Sequence, residues 1–162
     1  MTDNEEFIST FTHATERDID VLLVEEFEAS ADFMQWVAKL AGWNGNIASS
    51  RVLHSKRRTR NRREIDIHIE IQPIDGGKPA VLLIENKLDA TEQPDQAESY
   101  REELGRIQGD CSFAAMLLVC PAAYKELHHA FASKFDAVVC YEDVIRFLKS
   151  RIDSVTGEVQ KR

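Results

Sequence analysis

Hydrophobic positions along the chain fall into short periodic blocks, and the period changes from block to block. From Thr15, TERDIDVLLVEEFEA sets Ile19, Leu22, Leu23, Val24 and Phe27 near helical spacing. Ser30 can cap a second helix that carries Phe33, Met34, Trp36, Val37 and Leu40 on its inner face and stops at Gly42. After the turn WNGN, residues 47–54 read as a short extended run. EIDIHIEI, residues 64–71, alternates without a fault. Ile65, Ile67, Ile69 and Ile71 point one way, and Glu64, Asp66, His68 and Glu70 the other, which is the period of a strand. PIDGGKP is a turn, and AVLLIENK, residues 80–87, is an unbroken apolar run of strand length. Such a run predicts a central strand covered on both faces.

The second half alternates helix and strand. A helix is predicted over residues 91–104, with Pro94 in its first turn and Gly105 at its end. Phe113–Cys120 is a further apolar strand, Pro121 opens a helix to about Phe131, residues 137–141 form a last short strand, and residues 142–152 a last helix. The order ααβββαβαβα predicts an α/β fold, with a mixed sheet core flanked by helices on both faces. No internal repeat or linker interrupts the chain. Residues 1–162 are therefore expected to form a single domain, loosely ordered at 1–14 and 153–162.

Composition adds little until charge is considered. The chain is 43% hydrophobic and 30% charged, as ordinary globular domains are, and no apolar run reaches membrane-spanning length. Three cysteines without a CxxC motif argue for reduced thiols and a cytoplasmic location, and against a zinc site. The net charge is −8, yet KRRTRNRR, residues 56–63, holds six cations: Lys56, Arg57, Arg58, Arg60, Arg62 and Arg63. Removing that +6 leaves −14 on the rest. A solvated, self-repelling loop is one reading; a contact for phosphates, with release of their counterions, is the other.

The apolar run ends in Glu85-Asn86-Lys87. Residues two apart on a strand share a face, so Glu85 and Lys87 project together while Asn86 points away. If the two strands pair through PIDGGKP about a centre near Gly76, Asp66 falls opposite Asn86 or Lys87, within a residue of Glu85. Two carboxylates and a lysine suit a hydrated Mg²⁺ or Mn²⁺ acting on a phosphodiester. An Asp–Lys–Glu ion cluster at the rim of a sheet is the better reading of that spacing alone. His68 shares the Asp66 face and reads as a supporting residue rather than a ligand or base. His128 and His129 are helical neighbours about 100° apart and cannot chelate well. The Trp residues read as core.

Asp66, then Glu85-Asn86-Lys87 on an apolar strand, then Gln96 and Tyr100 in QAESY, resembles the PD-(D/E)XK nuclease superfamily. The likeness runs from Thr15 to about Phe147, and Arg17-Asp18-Ile19-Asp20 and Tyr141-Glu142 are similar to elements of its bacterial members. Ile65 rather than Pro precedes Asp66. The resemblance implies a restriction-endonuclease-like fold and a Mg²⁺- or Mn²⁺-dependent nuclease, an endonuclease acting on DNA. It implies Asp66 and Glu85 as metal ligands, the Asn86 carbonyl as a further ligand, and Lys87 acting on the scissile phosphate or the attacking water. Gln96 would orient active-site groups and Tyr100 would support them. A first-helix acid would join the site, with Glu16 chosen over Asp20 and Glu25. The basic run ends three residues before Asp66, so a phosphate backbone held there would pass the metal. Nucleic acid is the expected partner, and a homodimer or a target-recognising partner domain is compatible with it. A catalytically silent nucleic-acid-binding or regulatory domain of the same fold, or a protein-interaction domain whose basic loop docks on an acidic partner, are the alternatives.

Overall fold

The computed structural model describes residues 14–57 and 64–160, and for residues 56, 57 and 155–160 the backbone only. Helix α1 (Glu16–Ala29) opens with a reciprocal cap: Thr15 Oγ1 accepts the Asp18 N–H at 3.2 Å and Asp18 Oδ2 accepts the Thr15 N–H at 2.8 Å. Ser30 ends α1 and caps α2 (Ala31–Leu40) through the Phe33 N–H, as its position predicts. Gly42 follows with φ +102°, a left-handed turn that releases the chain from α2.

The sheet has five strands in the order β1 (Ile47–Arg57), β2 (Glu64–Pro73), β3 (Ala80–Asn86), β4 (Phe113–Cys120) and β5 (Ala137–Cys140). The first two pairings are antiparallel and the last two parallel. Helix α3 (Gln96–Ile107) and a 3₁₀ turn (Gln108–Asp110) connect β3 to β4. Helices α4 (Ala122–Leu127) and α5 (His129–Ala132) connect β4 to β5, so the single helix expected to Phe131 is broken at His128. Helix α6 (Tyr141–Gln160) closes the fold and runs well past residue 152. Among the described residues no helix is long and apolar enough to cross a membrane.

Every residue of β3 is buried, which is why its sequence is apolar without alternation. Leu82 and Ile84 face one core, built with Phe27, Phe33 and Val37 of α1 and α2 and with Val144 of α6. Leu83 and Val81 face the other, with Tyr100, Leu104, Tyr124 and Phe131 of α3, α4 and α5. This is the mixed sheet with helices on both faces that the hydrophobic pattern predicts.

Four expectations shift. The four isoleucines of β2 do not share a side: Ile67, Ile69 and Ile71 enter the first core, while Ile65 enters the second. The change falls at Asp66, where β2 leaves β3. The α3 helix starts at Gln96 rather than residue 91, because Asp95 before it is left-handed at φ 58° and Pro94 lies in the preceding turn. Gly105 sits inside α3, since the helix is held by the burial of Tyr100 and Leu104 rather than ended by local propensity. Leu40, expected inward, is 46% exposed.

Candidate active site

The β2–β3 ladder stops at Ile67↔Ile84. Its last turn-side pair is Ile71↔Ala80, so the hairpin midpoint lies between Asp75 and Gly76. Continued by one residue, that register sets Asp66 opposite Glu85, one position from the alignment expected about Gly76. Beyond Ile67 the backbones no longer pair and side chains take over. Asp66 Oδ2 accepts the Asn86 backbone N–H at 2.9 Å, and the Asp66 N–H is taken by the Tyr100 hydroxyl at 3.1 Å. On its other edge the end of β3 stays bonded to β4, with Lys87 N–H on the Val119 carbonyl at 2.9 Å.

Alternation then divides the three residues that end the strand. Glu85 and Lys87 turn together towards α3, and the Lys87 Nζ lies 3.3 Å from Glu85 Oε1. Gln96 Nε2 donates to the same Oε1 at 2.5 Å, and the Tyr100 hydroxyl donates to Oε2 at 2.6 Å. The Gln93 N–H, bonded to Gln96 Oε1 at 3.2 Å, turns the amide nitrogen towards Glu85. Gln96 and Tyr100 lie one helical turn apart on α3, so both reach the one carboxylate.

Asn86 turns the opposite way, into the α1–α6 side. Its Nδ2 donates to the Glu16 carbonyl at 3.0 Å and to Asp20 Oδ1 at 2.8 Å, and its Oδ1 accepts from the Tyr141 hydroxyl at 2.5 Å. Asp20 Oδ2 lies 3.7 Å from His54 Nε2 on β1. Glu16 spends its Oε1 on the loop after β3, accepting the Leu88 N–H at 3.0 Å and the Ala90 N–H at 3.4 Å. Of the first-helix acids, Asp20 is therefore buried against Asn86, Glu16 clasps the loop beside Lys87, and Glu25 is exposed. His68 is buried, but its Nε2 lies 3.4 Å from Glu70, the next acid along the strand away from Asp66.

The electrostatics are those of a site short of positive charge. Burial first, then the neighbouring Glu85 charge, pushes the Asp66 carboxyl up to about 8. Burial also raises Glu85, against the bonds from Tyr100 and Lys87 that favour its anion. Asp20 is raised by burial, and Tyr100 is driven well above its ordinary value by burial and by the adjacent Glu85 and Asp66 charges. Asp66 and Glu85, each disfavouring the other's ionisation, have one ammonium between them. A divalent cation would relieve this. Among the described residues no group of three or more His, Cys, Asp or Glu side chains encloses a metal. An open pair of hard oxygen ligands fits a cation that keeps several waters, as Mg²⁺ and Mn²⁺ do, rather than zinc.

Of the basic run, Lys56 and Arg57 occupy the last two positions of β1, paired with Ile65 and Glu64. Arg58, Arg60, Arg62 and Arg63 lie outside the described residues. The run thus joins β1 to β2 at the end of the hairpin that carries Asp66.

A family model of the PD-(D/E)XK nuclease superfamily matches residues 4–158 of the 162. The chain belongs to that superfamily. No curated protein and no solved structure matches it.

Sequence reading did not find the bonds of the Asn86 side chain, the His54–Asp20 contact or the bond from Tyr141. One signal was available: Asn86 is the sole amide in an otherwise apolar or site-bearing strand, and a buried amide requires partners for two donors and an acceptor.

Proposed function

We propose that the protein is a Mg²⁺- or Mn²⁺-dependent endonuclease that hydrolyses phosphodiester bonds in DNA. The observation that carries this reading is the meeting of Asp66, Glu85 and Lys87 where β2 parts from β3, with both carboxyls raised by burial. Asp66 and Glu85 would hold the cation, and the Asn86 carbonyl would be a further ligand. When bound, the cation polarises the phosphodiester and lowers the pKa of its water.

The chain's own residues do the rest. Gln96 and Lys87 both engage Glu85 Oε1 and Tyr100 takes one lone pair of Oε2, which fixes the carboxylate plane and leaves Oε2 as the oxygen for the ion. The Asn86 N–H does the same for Asp66 through Oδ2. Lys87 is 4% exposed, so its ammonium is poorly hydrated and directed by Glu85; a phosphoryl oxygen entering beside it gains a strong donor as charge develops. Glu16 stiffens the loop that follows Lys87 and adds negative charge that favours cation capture. Lys56, Arg57, Arg58, Arg60, Arg62 and Arg63 hold the phosphate backbone near the cation, and the acidic remainder of the chain discourages adsorption elsewhere.

The test is incubation of supercoiled plasmid with the protein and Mg²⁺ or Mn²⁺. Nicking that is abolished by EDTA and by Lys87→Ala, with DNA binding retained by that variant, is the expected result. Binding without cleavage in either metal would instead identify a catalytically silent nucleic-acid-binding domain.

A further inference from the structure

On the α1–α6 side, the end of β3 is bolted by the side chain of Asn86. Past Ile84 the strand has lost its β2 backbone partner. The Glu85-Asn86-Lys87 stretch is held on that edge by Asn86, whose backbone N–H bonds Asp66 and whose amide reaches the Glu16 carbonyl, Asp20 and Tyr141. Asn86 is 1% exposed, so water cannot replace a lost partner. Glu85 and Lys87 flank Asn86 and point the other way. A rotation of the Asn86 peptide would swing both out of line with Asp66.

We propose that Tyr141 is a positioning residue for the metal-binding acids: its hydroxyl, with Asp20 opposite, fixes the Asn86 amide and thereby the orientation of Glu85 and Lys87. Tyr141 begins α6 and Asp20 lies on α1, so two helices of the far face set the geometry of a site that opens towards α3. The amide can be held only one way round. Its nitrogen must meet the Glu16 carbonyl, which can only accept, with Asp20 beside it, and its oxygen then receives the Tyr141 hydroxyl hydrogen. The start of α6 is itself anchored, because Glu142 Oε2 accepts the Ala122 N–H at 3.0 Å. Tyr141 touches neither Glu85 nor Lys87 among the bonds described, so its influence passes through Asn86.

This inference rests on the nuclease reading for its consequence but not for its readout. Mn²⁺ is titrated into the metal-free full chain, without nucleic acid, and followed by the loss of free-ion electron paramagnetic resonance signal. Wild type, Asp66→Ala, Tyr141→Phe, Asn86→Ala and the Tyr141→Phe/Asn86→Ala double variant are compared. Loss of a residue that orients ligands weakens metal binding by about 10- to 100-fold. Tyr141→Phe is expected in that range, and the double variant no weaker than Asn86→Ala, since Tyr141 acts through Asn86. Cleavage should lose kcat with the KM for DNA within about twofold, as a ground-state contact is not removed. If Tyr141→Phe does not fold, Asp20→Leu breaks the same clamp from the other side while keeping the branching of the side chain, and should weaken Mn²⁺ likewise. Wild-type affinity in the Tyr141→Phe variant, or additive losses in the double variant, overturns the positioning role and leaves the site standing. Absence of Asp66-dependent Mn²⁺ binding in wild type overturns both.

Discussion

Tyr100 donates its phenolic hydrogen to Glu85 Oε2 at 2.6 Å, while the phenolic oxygen itself accepts the Asp66 backbone N–H at 3.1 Å. One buried hydroxyl therefore ties α3 to both acid-bearing strands at the place where they separate. Tyr100→Phe keeps the ring in its core and strands an N–H and a carboxylate oxygen. A loss of about 1–3 kcal/mol is expected from buried polar groups left unpaired. The urea unfolding midpoint should fall with the m-value unchanged. Metal affinity should fall as well, because Glu85 loses the donor that orients Oε2.

The raised Asp66 carboxyl makes stability depend on pH in a direction opposite to most proteins. Its folded value is about 8 against an ordinary 3.8, so between those values the folded state keeps a proton that the unfolded chain has released. The contribution is fully present below about pH 4 and is lost as pH rises through about 8. Glu85 and Asp20 are raised too and add the same sign. Metal-free protein should thus show a stability contribution that declines from pH 5 to pH 8, and Asp66→Asn should flatten that decline. Added Mg²⁺ or Mn²⁺ should raise the melting temperature more at pH 8 than at pH 6, since the ion competes with the protons. A metal-independent profile identical in Asp66→Asn would contradict this.

The Glu85–Lys87 pair is buried on both sides, at 2% and 4% exposure, and under the proposed function it serves chemistry rather than stability. Lys87→Met leaves the carboxylate without its ammonium, which costs about 3–5 kcal/mol for a broken buried pair. The penalty should shrink at pH 5, where Glu85 protonates more easily. Glu85→Gln/Lys87→Met should recover wild-type stability or exceed it while cleaving nothing. Chemical denaturation of the single and double variants reads this out.

How far the sequence reveals the fold depends on where the information is local. The strand β3 and the face shared by Glu85 and Lys87 follow from period and polarity alone. The α3 start does not, because Asp95 adopts a left-handed conformation that no residue type dictates. Nor does the inward position of Asp20 relative to Glu16, since rotation of α1 about its axis is set by packing of Leu23 and Phe27 against the sheet. The Tyr141–Asn86 bond joins residues 55 apart, and neither residue signals the other. Ile65 leaves the common face of β2 because the strand departs from β3 at Asp66, an event visible only once both strands are in place.

The six cations at positions 56–63 carry a prediction about salt. Replacing all six by Gln should weaken binding to duplex DNA of any sequence. It should also reduce the slope of log affinity against log salt by about 5, if each neutralises one phosphate. Fluorescence anisotropy over a salt series measures it. An unchanged slope would remove the basic run from the interface.

Manganese-soaked crystals, measured at the metal absorption edge, bear on the site most directly. An anomalous peak about 2.1 Å from oxygens of both Asp66 and Glu85 is expected, with ordered waters completing an octahedron. A peak bound elsewhere, or none beside these two carboxylates at an ion concentration that supports cleavage, would contradict it.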